Sequence, residues 1–134
     1  MKEKTIIFVV PMLLFLASLV STSIGAYTPG VASSYAQPYR PSACYGNSDN
    51  GTNIISVSDS LWDNRNACGR KYGVWCTTAS EAMFQNCSGD NGYEVTVVDY
   101  CGHCNDFTML LSQEVFSALT NTENGVIQIL YKEI

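Results

Sequence analysis

The chain has 134 residues, 46% of them hydrophobic and 14% charged, and a formal net charge of −5 at pH 7. Its seven Lys and Arg residues are scattered, so no basic stripe exists; nucleic acid and anionic membrane surfaces, which need clustered cations, are excluded as natural partners. Six cysteines in so short a chain read as the disulfide framework of an exported domain.

Lys2 and Lys4 precede an apolar run from Ile6 to Val20, and small residues follow as far as Ala26. This is the pattern of a secretory signal peptide over residues 1–26. The apolar run falls short of the roughly 20 residues that a spanning helix needs, and Pro11 interrupts it. No membrane insertion is expected once the leader is removed. Residues 27–134 then form one domain with five basic and eleven acidic residues, a formal −6. That length suffices for one modest core.

From Tyr27 to Pro41 the chain is rich in Gly, Ser, Tyr and Pro, which predicts an extended leading segment with irregular turns. Strand signals follow at 52–57, 71–76, 93–100 and 126–131, short stretches rich in β-branched and aromatic residues. In the third, Tyr93, Val95 and Val97 alternate with Glu94, Thr96 and Val98, giving an apolar face and a mixed one. Asp99 comes where that strand runs out. One helical turn is expected at 59–62. Ser112 reads as an N-cap before a short helix over 113–119, with Glu114 in its first turn and Val115 and Leu119 facing the core. Asn124-Gly125 supplies the turn into the last strand. The domain is mainly β, and closure into a barrel is the natural way to hide its strand edges.

All six cysteines, Cys44, Cys68, Cys76, Cys87, Cys101 and Cys104, lie beyond the leader. Three bridges are expected, and spacing alone leaves fifteen pairings open. Two glycosylation sequons fit an exported chain, at Asn50 and Asn86. Asn50 is the better of the two, because Cys87 sits inside the second.

Cys101-Gly-His-Cys104 matches the signature of thiol-disulfide oxidoreductases. A redox Cys-x-x-Cys needs a helix N-terminus after a strand to lower the thiol pKa. Asn105 to Thr108 opens no such helix, and only 30 residues follow Cys104. The pair is read as a structural bridge, with His103 an exposed loop residue. A metal site on Cys101, His103 and Cys104 would need a fourth ligand and reduced thiols, which export disfavours. No cofactor is indicated.

The motifs Gly30-Val-Ala-Ser-Ser-Tyr35, Ser42-Ala-Cys-Tyr-Gly46, Ser58-Asp-Ser-Leu-Trp62, Ala67-Cys-Gly-Arg70, Val97-Val-Asp-Tyr-Cys101 and Leu111-Ser-Gln-Glu-Val-Phe116 together resemble the plant natriuretic peptide-like proteins, small secreted relatives of the first domain of expansins. The resemblance spans the whole of 27–134. It implies a six-stranded double-psi β-barrel, shared with barwin-like proteins, and the pairs Cys44–Cys68, Cys76–Cys87 and Cys101–Cys104. Relatives usually have a longer loop at the last pair.

It also implies a groove. Asp99 matches the aspartate of the expansin-like groove, but the second aspartate of that pattern is replaced by Leu110. Inverting hydrolysis of a glycosidic bond needs two carboxyl groups about 6.5–9.5 Å apart, so the pair is incomplete and no enzyme is expected. Asp106 is the nearest alternative acid, and using it would require residues 105–109 to wrap around the groove. Asp99 is read equally as a carboxylate that satisfies backbone donors at a strand end. Tyr35 and Tyr45 are the aromatic groove candidates; Trp75 is open between groove and core, and Trp62 is expected in the core.

The leading expectation is a non-enzymatic, apoplastic, monomeric protein of the natriuretic peptide-like kind, associated with systemic water and ion homeostasis and acting on a plasma-membrane receptor. The alternatives are binding of wall polysaccharide and barwin-like defence against microbial glycans. The chain ends soon after the last strand signal, so the second, carbohydrate-binding domain of an expansin is not expected, nor is expansin-type wall loosening.

Overall fold

The computed structural model describes residues 26–77, 87–89, 91–122 and 125–134. The expected leader before Ala26, Asn86 of the second sequon and Asn124 of the expected last turn lie outside the described residues.

Six strands, β1 (Thr28–Tyr35), β2 (Ile54–Val57), β3 (Lys71–Cys76), β4 (Tyr93–Tyr100), β5 (Met109–Ser112) and β6 (Val126–Glu133), close into a barrel in the order β1-β5-β2-β4-β3-β6. Every strand has a neighbour on both sides, so closure removes the sheet edges altogether. Two pairings are parallel, β1 with β5 and β2 with β4. The rest are antiparallel. Two short helices, α1 (Asp59–Trp62) and α2 (Gln113–Leu119), follow β2 and β5. The barrel and all three disulfides match the expectation from family resemblance.

The four strands predicted from composition are present, with β2 starting two residues later and β6 running two residues further than expected. The leading segment is the correction. Thr28 to Tyr35, expected as part of an extended segment with irregular turns, is a full barrel strand, held by β5 on one side and β6 on the other. Pro29 and Gly30 lower its intrinsic strand preference, and pairing on both sides overrides that. Ser112 ends β5 and also caps α2, its Oγ accepting from the Val115 N–H at 3.2 Å.

Alternation along each strand builds the core. Ala32, Ile55, Val57, Tyr72, Val74, Val95, Val97, Met109, Leu111, Ile127 and Ile129 all point inward and are buried. Each large aliphatic side chain so buried contributes roughly 1.5–3 kcal/mol. Val115, Phe116 and Leu119 of α2 join the same core.

One irregularity aims the candidate site. The β2–β4 register runs Ile54 with Thr96 and Ile55 with Val97, then jumps to Ser56 with Asp99. Val98 is the extra residue of a β-bulge. Strict alternation after Val97 would turn Asp99 into the apolar interior; the bulge turns it out, opposite Ser56.

On the far side of the barrel, Trp75 belongs to neither groove nor core. It lies on the outside of the β3–β6 face, opposite β5–β2 in the ring, with its ring edge-on to Tyr27 at 4.9 Å. Gly73 and Gly92 let it lie flat: a Cβ at Gly92 would fall 2.3 Å from the indole.

Candidate functional site

A row of outward positions crosses four adjacent strands. Asp99 (β4) pairs with Ser56 (β2), Ser56 with Leu110 (β5), and Leu110 with Ser33 (β1). Residues paired across strands share a face, and Val57, Met109 and Leu111 beside them point into the core. Asp99 and Leu110 therefore stand on the outer surface, two strand spacings or roughly 10 Å apart. A carboxyl group at position 110 would have faced Asp99 across the row. An isobutyl group stands there instead.

Asp99 Oδ1 accepts two backbone N–H bonds at 2.9 Å each, from Ala43 and from Tyr100. One carboxylate oxygen thus ties the 42–46 turn to the end of β4, beside the Cys44 N–H bond to the Val98 carbonyl at 3.0 Å. The backbone-satisfying role read for Asp99 is present.

Beside Asp99 lies a polar cluster that the sequence did not reveal as one. The Tyr39 hydroxyl donates to Glu114 Oε2 at 2.6 Å and accepts from the Gln113 N–H at 3.0 Å, while Gln37 Nε2 donates to Glu114 Oε1 at 3.3 Å. The Tyr39 bond holds the Glu114 carboxyl below its ordinary range, so this acid stays ionised. Tyr35 packs edge-to-face on Tyr39 at 5.1 Å. Its hydroxyl is buried and has no hydrogen-bond partner in the protein. Burial first, then the charges of Asp99, Tyr39 and Glu114, push the Tyr35 phenol up. The hydroxyl oxygen is sealed from solvent, so it shapes the cluster by packing and is not open to an external ligand. Chain separation explains why the cluster was missed: Tyr39 and Glu114 stand 75 positions apart.

The other predicted residues sort differently. Tyr45 is exposed and stands apart from this cluster, its hydroxyl only 2.8 Å from where a Cβ at Gly69 would be. Trp62 is a partial correction: it packs against the core but is only half-buried, and one ring face stacks on Tyr100 at 4.9 Å. Tyr100 pairs with Val57, so it leans over the barrel end, where its hydroxyl bonds Asp59. Arg65 closes the rim, with its guanidinium 5.9 Å from the Trp62 ring centre and donating to the Ala43 carbonyl at 2.8 Å. Asp106 is exposed and lines a separate cavity of about 590 Å³ with Gly30, Ser58, Asp59 and Thr108.

Cys101 and Cys104 are bridged, and His103 between them is exposed. Among the described residues no group of three or more His, Cys, Asp or Glu side chains is placed to hold a metal. A second cavity, of about 490 Å³, adjoins Tyr39 between segments 37–40 and 47–52, with Ile54 and Val98 as its apolar floor.

Residues 54–131 match the double-psi β-barrel family described as lytic transglycolase. The chain is 35% identical to EG45-like domain containing protein 2 of Arabidopsis thaliana over 127 residues, 95% of each chain. It is 33% identical to the EG45-like domain containing protein of Citrus jambhiri over 115 residues, 86% of this chain and 87% of the relative. Among solved structures it is similar to a Clavibacter michiganensis expansin at TM-score 0.62 and 23% identity, covering 81% of this chain and about half (50%) of the expansin. A point mutant of the Clavibacter michiganensis expansin, similar at TM-score 0.61, was solved in complex with cellohexaose. Streptomyces papain inhibitor also shares the fold, at TM-score 0.58 and 21% identity. With the barrel, the three bridges and the family matches all in agreement, the chain belongs to the EG45-like domain proteins, an expansin-like branch of the double-psi β-barrel family.

Proposed function

We propose that this protein is an exported, wall-facing polysaccharide-binding protein that uses the outer surface around Asp99 and does not cleave what it binds. The observation that carries the reading is the composition of the row itself: one carboxylate, Asp99, with an oxygen committed to two backbone donors, and Leu110 two strands away. Leucine transfers no proton. Glu114, the other acid beside Tyr35, is kept ionised by Tyr39 and is a poor proton donor near neutral pH. A glycan is what the remaining groups suit. Asp99 accepts from a sugar hydroxyl, and the exposed Tyr100 on Trp62 offers an aromatic surface at the barrel end. A cellohexaose complex of a structurally similar expansin favours a β-linked glucan as the first ligand to try.

A second reading, regulation of water and ion homeostasis through a plasma-membrane receptor, is favoured by the family motifs at 30–35, 42–46 and 97–101. It shares the non-catalytic groove and differs in its partner. The discriminating experiment is binding of the oxidised protein to cellulose, xyloglucan and pectin, alongside sugar-release assays and an Asp99→Ala variant. Saturable binding weakened in the variant, with no sugar released, is the expected result. Released sugar overturns the non-catalytic reading. Absence of binding to all three polymers moves the weight to a protein receptor.

A further inference from the structure

The Asn50-Gly51-Thr52 sequon lies at the cavity beside Tyr39, and its geometry is that of a carrier site. Asn50 and Thr52 are both exposed. The Asn50 amide makes one bond, from Nδ2 to the Ser48 carbonyl at 3.2 Å, local and on the surface. Gly51 has a φ of +77°, and a Cβ built on it would meet nothing within 4 Å, so the turn next to Asn50 is uncrowded. Its N–H bonds Asp49 Oδ1 at 2.9 Å, which fixes the turn that presents Asn50. Replacing one amide hydrogen therefore costs the fold a single exposed contact.

Asn50 also lines the cavity of about 490 Å³, with Gln37, Tyr39 and Arg40 on the opposite wall. We infer that Asn50 carries an N-linked oligosaccharide whose first sugars cover this cavity, closing it to other ligands and leaving the Asp99 surface as the open one. The inference rests on the export reading above. The chemistry is transfer from a lipid pyrophosphate-linked oligosaccharide: a bond forms between Asn50 Nδ2 and C1 of the first sugar, the C1–oxygen bond to the pyrophosphate breaks, and the amide loses one proton. The cavity's polar rim of Asn47, Ser48, Asp49 and Arg40 over the apolar Ile54 and Val98 floor suits a sugar ring, which has hydroxyls at its edge and apolar hydrogens on its faces.

The test is expression of the full chain in plant cells, with recovery of medium and cells, intact mass measured before and after peptide-N-glycosidase, and Asn50→Gln and Thr52→Ala variants. The expected result is one enzyme-removable glycan lost in both variants, together with slower amide exchange over residues 37–52 in the glycosylated protein than in Asn50→Gln. A parallel chain behind an established secretory leader separates the two ideas. Modification there, without export from the native N-terminus, rejects export and supports the site; an unmodified Asn50 on exported protein rejects the site. A glycan that leaves exchange over 37–52 unchanged overturns the covering of the cavity.

Discussion

Two side chains beside Asp99, Tyr35 and Glu114, bear on stability in different ways. The Tyr35 hydroxyl is buried without a partner, a state that costs free energy. Tyr35→Phe is expected to leave thermal stability unchanged or raise it slightly, with glycan binding unchanged, because a sealed hydroxyl makes no contact with a ligand. Thermal denaturation and a polymer-binding isotherm check the two halves separately; a clear loss of binding would show that the hydroxyl opens to the ligand. Glu114 carries the pH dependence. Its folded-state pKa is lowered, first by the Tyr39 hydroxyl, so its stabilisation is fully present above the ordinary glutamate range. It is lost as pH falls through the lowered folded value. Acid unfolding should accordingly begin at higher pH in the parent than in Glu114→Gln relative to each protein's neutral stability, measured by the midpoint of denaturation across pH 6 to about 2. Asp99 itself was legible in the sequence, as an acid at a strand end. The Tyr35–Tyr39–Glu114 grouping was not, since no local pattern ties residues so far apart in the chain.

Among the elements, the strands with alternating or β-branched residues could be read directly, and those without could not. Lys71 to Cys76 and Tyr93 to Tyr100 stand where composition put them. Thr28 to Tyr35, with its Pro, Gly and two Ser, is a strand because β5 and β6 accept it on both sides; propensity is weak against paired neighbours. Met109 to Ser112 is too short and too uniformly apolar to carry a period. The β-bulge at Val98 was equally hidden, because a bulge is a property of two strands in register. The bridges differ in what they constrain. Cys44–Cys68 joins residues 24 apart, and Cys101–Cys104 only 3 apart. In the chain-entropy account the first contributes about 3.5 kcal/mol and the second about 2. Replacing both cysteines of the 44–68 pair by Ala should therefore lower stability more than the same change at 101–104, a ranking that chemical denaturation of the two double variants checks. An equal or reversed ranking would show that the short bridge holds the Asp99 end of β4 beyond its loop entropy.

For the molecule taken entire, the barrel has two distinct sides set by the order of its strands. The β4-β2-β5-β1 side carries Asp99, Leu110 and Ser33, with Ser56 buried between them, and the β3–β6 side carries Trp75 and Tyr27. Trp75 could be read from sequence as an aromatic of either groove or core, and it is neither, because Gly73 and Gly92 make room for it on the outer face. Residue type and order along the chain were enough for the mainly β class, the presence of three bridges and an acid, Asp99, at a strand end; the match of Asp99 to a groove aspartate, with Leu110 in its partner's place, is what the family resemblance implies. Residue type and order could not say which way Asp99 points, which distant side chains surround Tyr35, or that the sequon at Asn50 overlooks a cavity. Each of those depends on how strands far apart in the chain pair and shift against one another, and that register is set by the closing of the barrel as a whole rather than by any one segment.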